Sequence, residues 1–406
     1  MPALLELNTF GEAYLYINCE QSEIVGLNAE ESFALFGISR CNYLFISSPM
    51  EIYDNETLAQ LDNTFHSYKS FTGHKVKIIL LLGEQYRYNN GIYKFKNIDA
   101  VYYIDFFAYE LYAITYIKKW QPLNDTYEKS KFENDYLLLI NKPDKPNRAP
   151  LVYKLWQQNL LKNACYSFNI KNSIEYESCY DLIRNYTSDE VDRRMFRRFV
   201  KETKSEIDKT REYVSRKSSD IKNFYVGLPF DPNIFSRSKF QVVSETKWRN
   251  EPEMFITEKT YLAILNNMPF YLLANDSAYK LLRSYGFKTF QQYHKPLRKP
   301  KGISQASDWT NLNIAVENIA YWKENIHKWY KDLQILTQHN KQRFLSIAKK
   351  QEQEFKKILE TYNISVDVID FFNNGYYLNS FLSDIYYPKK NVKIYDTQIK
   401  RSRLHI

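Results

Sequence analysis

The sequence predicts an α/β protein built from two domains. Two apolar runs, KVKIILLL (75–82) and YLLLI (136–140), are continuous rather than alternating, as suits strands covered on both faces of a sheet. Strand and helix patterns also alternate. YLLLI runs into a polar turn and a helical pattern marked by Pro150, and FQVV (240–243) runs into a polar loop and an apolar helix. Finally, 406 residues are more than one such domain usually holds.

The elements follow in order. Within 1–128, an N-terminal α/β domain, residues 13–18 read as a strand and 29–36 as a helix. Residues 75–82 read as the main strand and IDAVYYIDFF (98–107) as the next. Residues 119–131 are polar, carry Pro122 and Asn124, and read as a linker. A second α/β domain spans 129–305. Its first strand ends at Asn141, the turn KPDKPNRAP carries Arg148, and a helix is expected over 151–161. That is the opening unit of a Rossmann-like domain without its Gly-rich turn.

Residues 187–222 form a charged helical stretch. Met195, Phe196, Phe199, Val200, Ile207 and Val214 recur at helical spacing, with Arg193, Arg194, Arg197 and Arg198 between them. Such a face is ordinarily solvated; the alternative is a face for an anion or a partner. A strand at 240–243, a helix entered at Ile256-Thr257-Glu258-Lys259, a strand at 269–273 and a short helix ending near Gly286 complete this domain. C-terminal helices are expected over 306–372, with Trp322, Trp329, Leu336, Phe344, Phe355 and Leu359 among their apolar positions. A basic, aromatic tail occupies 373–406.

Composition narrows the function classes. With 56 Lys and Arg against 47 Asp and Glu the formal charge is +9, which favours anionic partners. The four Cys form no C-x-x-C pair, so neither a zinc ribbon nor a redox motif is indicated, and their number fits a reducing compartment. The six His form no H-x-H or His-rich helical face, and no Asp-x-Asp occurs, so no catalytic metal is expected. No Walker motif, no G-x-G-x-x-G and no G-x-S-x-G is found. The N-terminus lacks the pattern of a signal peptide, and no apolar run reaches 18 residues. The expected location is the cytoplasm. The tail is a candidate peripheral contact with an anionic membrane on its inner face, or else a solvated extension.

Three candidate pieces fall just after predicted strands: Glu84 after KVKIILLL, Arg148 after YLLLI, and Glu245, Thr246, Glu258 and Lys259 after FQVV. In open α/β sheets that edge receives nucleotides, and a helix N-terminus beside a Lys suits a pyrophosphate. Thr and Glu also suit the first turn of any helix, so T-E-K alone is an ordinary cap. Its company changes its weight. A carboxylate in one half, with phosphate-binding cations and a hydroxyl-binding acid in the other, is the layout of a two-domain group transferase with a donor and an acceptor in its cleft.

The order of these pieces resembles the α-1,3-fucosyltransferases of glycosyltransferase family 10. Those enzymes carry F-E-N-S, a variable loop, [VI]-T-E-K and a helix, then a strand that begins with Pro. This chain has S-E-T at 244–246, I-T-E-K at 256–259 and Met268-Pro269-Phe270. Asn141 and Arg148 match the family's strand-end Asn and loop Arg. Gly83-Glu84-Gln85 matches its G-E-N, and 98–106 its Asp-containing strand. The resemblance covers roughly 75–290, and Thr246 stands where the family has Asn.

The resemblance implies a GT-B fold, two Rossmann-like domains facing a cleft, with the acceptor on the N-terminal side and the nucleotide-sugar donor on the other. It implies inverting transfer without a metal or other cofactor, from a nucleotide sugar such as GDP-fucose to a glycan or other hydroxyl acceptor. Glu84 would act as general base and Arg148 would neutralise the pyrophosphate. Glu258 and Lys259 would bind sugar or ribose and phosphate, next to Glu245 and Thr246. Two other classes stay open: a nucleic-acid-binding or DNA-modifying protein, which basicity and aromatic content allow but dispersed charge and missing RNA-binding motifs disfavour, and a non-catalytic scaffold with a transferase fold.

Overall fold

A computed structural model describes residues 6–7, 13–18, 43–48, isolated positions between 58 and 70, then 77–83, 93–113, 127, 131–140, 142–186, 191–204, 233–245, 256–295 and 308–364. The fold is mixed α/β with largely parallel sheets. It divides into two compact units: Met1–Ala113 with Ala348–Ile406, and Ile114–Ile347. The expected helix at 29–36, the linker at 119–126 and the tail at 373–406 lie outside the described residues.

The first unit holds a five-stranded sheet in sequential order, β1 (Glu6–Leu7), β2 (Ala13–Asn18), β3 (Tyr43–Ser48), β4 (Lys77–Gly83) and β5 (Ala100–Ile104). Only β1 runs antiparallel to its neighbour; Leu80 of β4 pairs with Ile46 and Val101. Ile78 through Leu82 are all buried, as a central strand covered on both faces requires. The expected strand at 98–107 ends early. Asp105 Oδ1 accepts the Ala108 N–H at 3.1 Å and starts a helix, α1 (Phe106–Tyr112). An Asp in capping position thus overrides the strand preference of Phe106 and Phe107.

The second unit holds a four-stranded, fully parallel sheet of β6 (Tyr136–Ile140), β7 (Ala164–Phe168), β8 (Gln241–Ser244) and β9 (Phe270–Leu273), in the order β7-β6-β8-β9. Between them lie α2 (Arg148–Gln157), α3 (Ser173–Tyr186), α4 (Arg193–Thr203), a short α5 (Asn233–Ser236) and α6 (Glu258–Leu265). After β9 come α7 (Asp276–Ser284), α8 (Asp308–Asn325) and α9 (Tyr330–Thr361). The division between the units falls within α9, between Ile347 and Ala348.

Helix α2 begins at Arg148, three residues before the expected start. Pro150 occupies its third position, still inside the first turn, where a missing N–H costs no helical bond. Arg148 is therefore a helical residue rather than a loop residue. The helix stops at Gln157 because Asn159 takes φ 55° and the Leu160 N–H returns to the Leu155 carbonyl at 2.8 Å. The same reversal ends α6 at Asn267, α7 at Gly286 and α9 at Asn363. This Gly-poor chain uses Asn for a left-handed position usually given to Gly.

Aromatic packing holds the second unit together. Phe199 of α4 meets Tyr153, Trp156 and Phe168 at ring distances of 5.3–5.6 Å, joining α4 to α2 and β7. Trp322 of α8 is fully buried against Phe240, Tyr271, Phe290 and His294. Asp135, just before β6, receives Lys239 at 2.6 Å and Lys323 at 3.2 Å. Among the described residues no helix is long and apolar enough to cross a membrane.

Candidate functional site

Chain order sets the place. From β6 the chain steps to β7 on one side, and from β8 to β9 on the other, so the strand order reverses between β6 and β8. At such a point the connections leave the carboxyl edge in opposite directions and open a crevice. Strand β6 leads to the N-terminus of α2, and β8 leads through Ser244 and Glu245 to the N-terminus of α6. Two helix N-termini, each favouring negative charge, thus start from the two strands that flank the switch point.

The two connections are tied together by side chains. Asn147 Nδ2 donates to the Glu245 carbonyl at 2.7 Å. Asn147 holds the N-cap position of α2, yet its side chain makes no capping bond to that helix. The Glu245 side chain is fully buried. Its carboxylate accepts the Thr257 N–H at 3.0 Å, the Thr257 hydroxyl at 2.8 Å and the Thr260 hydroxyl at 2.5 Å. Glu245 therefore clamps the start of α6 to the end of β8.

The cations lie at the two helix starts. Lys259 Nζ reaches Glu258 Oε1 at 3.0 Å and Thr257 Oγ1 at 3.1 Å, and both charged side chains keep about a fifth of their surface exposed (21% each). Arg148 is only 4% exposed. Its guanidinium donates to the Lys142 carbonyl at 3.1 Å and forms no ion pair with any described residue. Burial pushes its pKa down, while the more distant carboxylates of Glu245, Glu258 and Asp144 pull it back up. A buried cation without a direct counter-ion is costly, and an anion in reach of Arg148 removes that cost.

Arg148, Glu245, Glu258 and Lys259 are thus gathered around one switch point. Glu84 and Thr246 lie outside the described residues; Glu84 follows Gly83, the last residue of β4, and Thr246 follows Glu245. Sequence reasoning passed over Asn147 and Thr260, and named Ser244 and Thr257 only as parts of the S-E-T and I-T-E-K motifs. An Asn before a predicted helix is a capping signal that would have singled out Asn147. The three donors to Glu245 leave no mark in local sequence.

Other features fall elsewhere. A groove of about 630 Å³ is lined by Trp156, Lys162, Tyr166, Met195, Arg198 and Glu202. It lies where α2 ends and β7 begins, at the amino edge of the sheet. Arg193 and Arg198 pair with Glu177 at 2.6 Å and Glu202 at 2.8 Å. Burial pushes the Cys179 thiol up to about 12, so it stays protonated. Among the described residues no group of three or more His, Cys, Asp or Glu is placed to hold a metal ion. Comparison of the chain with protein-family models, curated proteins and solved structures finds no match.

Proposed function

We propose that this chain is a nucleotide-sugar-dependent glycosyltransferase of the GT-B type, related in plan to the family 10 fucosyltransferases. The observation that carries the reading is Arg148: a buried guanidinium without an ion pair among the described residues, beside the switch point of a parallel sheet. Its neighbours suit the same ligand. Lys259 supplies a second positive group, and Glu258 an acceptor for a ribose or sugar hydroxyl.

In this reading the donor's diphosphate is held by Arg148, Lys259 and the N-termini of α2 and α6. An acceptor hydroxyl attacks the anomeric carbon and gives its proton to a carboxylate, the role that the resemblance gives Glu84. The new carbon–oxygen bond forms as the bond to the diphosphate breaks. The nucleoside diphosphate leaves with the electron pair, and its growing negative charge meets groups already in place. The inverted configuration follows from attack opposite the leaving group. The acceptor is a glycan or another hydroxyl compound.

The test is thermal unfolding of the full chain with a panel of nucleoside diphosphates and nucleotide sugars, followed by assay of nucleotide release. A ligand at a hundred times its Kd stabilises the native state by about 2.7 kcal/mol. At least one nucleotide is expected to raise the Tm of the wild type and not that of Arg148→Ala. No shift and no release across the panel overturns the proposal.

A further inference from the structure

At the same switch point two buried polar atoms have no hydrogen-bond partner among the described residues: Asn147 Oδ1 and Ser244 Oγ. Asn147 is fully buried and Ser244 is 2% exposed. Buried polar groups in native proteins are nearly always paired, so an orphan calls for an explanation. Here there are two, on the two connections that meet at the switch point: Asn147 donates to the carbonyl of Glu245, and Ser244 is the residue before Glu245.

The chemistry at Asn147 is directional. The Glu245 carbonyl only accepts, so the amide nitrogen must face it, and rotating the amide would set two oxygens against each other. The free atom is therefore the oxygen, an acceptor. Its missing partner is a donor, which a phosphate oxygen is not. Ser244 can donate or accept. Arg148, the next residue in the chain, only donates and suits the anion. One ligand meets all three demands if it carries an O–H or N–H group a short distance from its phosphate.

We infer that Asn147 and Ser244 are ligand contacts that read a hydrogen-bond donor on the nucleoside part of a nucleoside diphosphate, either a ribose hydroxyl or a base N–H. This rests on the anion site proposed above and adds what that site recognises beside the charge. It makes the pair specificity-determining: Arg148 and Lys259 bind any diphosphate, whereas Asn147 and Ser244 separate a nucleotide from a bare one. It also accounts for two unpaired polar atoms at a sheet edge whose other buried polar side chains, Glu245, Thr257 and Thr260, are paired with one another.

Ser244→Ala is the decisive variant, because removing an orphan hydroxyl deletes no protein bond. The full chain is titrated with GDP, UDP, their 2′,3′-dideoxy forms and inorganic pyrophosphate, and its Tm is measured without ligand. The expected result is a Tm unchanged or raised by about 1–3 °C. Affinity for the preferred nucleotide falls about five- to tenfold and affinity for pyrophosphate does not change. Asn147→Ala is expected to lose discrimination in the same sense, although it also releases the Glu245 carbonyl.

Loss of affinity in the dideoxy form of the preferred nucleotide assigns the donor to the ribose; retention assigns it to the base. If wild type binds a nucleotide and Ser244→Ala binds it equally well, or weakens nucleotide and pyrophosphate alike, the inference falls and the proposed function stands. If wild type binds no nucleotide, both fall.

Discussion

Glu245 holds Thr257 twice: its carboxylate accepts the Thr257 backbone N–H at 3.0 Å and the Thr257 hydroxyl at 2.8 Å. The two are twelve positions apart in sequence. The pair fixes where α6 starts, and with it where Glu258 and Lys259 stand. The carboxylate also neutralises part of the positive field at the N-terminus of α6, in a place no solvent reaches.

Glu245→Ala is therefore expected to cost about 2–4 kcal/mol, because three buried donors lose their acceptor at once. Glu245→Gln keeps one carbonyl oxygen and lets the Thr hydroxyls turn to accept, so its loss is expected to be about half as large. Urea denaturation of both variants checks the order. A loss below about 0.5 kcal/mol for Ala shows that the clamp contributes nothing.

Arg148 should behave in the opposite way. Replacing an unpaired buried cation by an apolar side chain of similar length removes a desolvation penalty. Arg148→Met is expected to leave the free protein as stable as wild type, or about 1 kcal/mol more stable, while nucleotide binding falls at least tenfold. Denaturation and calorimetric titration on the same preparation separate the two effects. Arg148→Lys does not restore binding, since an ammonium lacks the planar fork that meets two phosphate oxygens.

Lys259 sits nearer to solvent, and its pair with Glu258 is of the partly exposed kind that contributes about 0–1 kcal/mol. Lys259→Ala is expected to change stability by less than about 1 kcal/mol while lowering sugar transfer by about 10²-fold or more, the size found when one group stabilising developing charge is removed. Initial-rate assays against a Tm control decide it. Unchanged transfer removes Lys259 from the site.

His294 gives the second unit an acid-sensitive point. Burial pushes its pKa down to about 4, with Tyr271 and Trp322 rings at 5.0 and 6.0 Å. The folded protein resists the proton that the unfolded chain takes up near pH 6.5. No penalty exists above that pH. Stability falls as pH drops from about 6.5 to about 4, by up to about 3–4 kcal/mol in all. Urea unfolding at pH 7.5 and pH 5 is expected to show this loss in wild type and less of it in His294→Gln.

The central strands were legible because their residues are buried on both faces: β4 and β6 lie close to the apolar runs that announce them. The start of α6 was legible because Thr257 is a capping residue and an apolar run, Tyr261-Leu262-Ala263-Ile264-Leu265, follows one turn later. Where the reading slipped, a single side chain outweighed a pattern. Asp105 turned Phe106 and Phe107 from strand into helix, and the helix expected over 151–161 starts earlier, with Asn147 as its N-cap. That error set Arg148 on a loop when it is buried at a helix start. Strand β7 was missed, since ACYSF lacks a continuous apolar run. The unpaired state of Asn147 and Ser244 was out of reach, because it depends on what every neighbour in space is already bonded to.

The first unit is completed by the chain's last described segment. Tyr362 sets its ring on Tyr43 and Phe45 at 5.0 and 5.4 Å, its hydroxyl meets that of Tyr102, and Gln351 accepts from the Asp105 backbone. During synthesis, strands β2–β5 therefore emerge long before their cover. At about 5–20 residues per second the ribosome needs roughly 10–50 s to travel from Ala113 to Ala348. For that interval Tyr43 and Phe45 lack the Tyr362 ring that packs on them in the finished unit. A stop codon before Ala348 would injure the first-made half of the molecule more than the second.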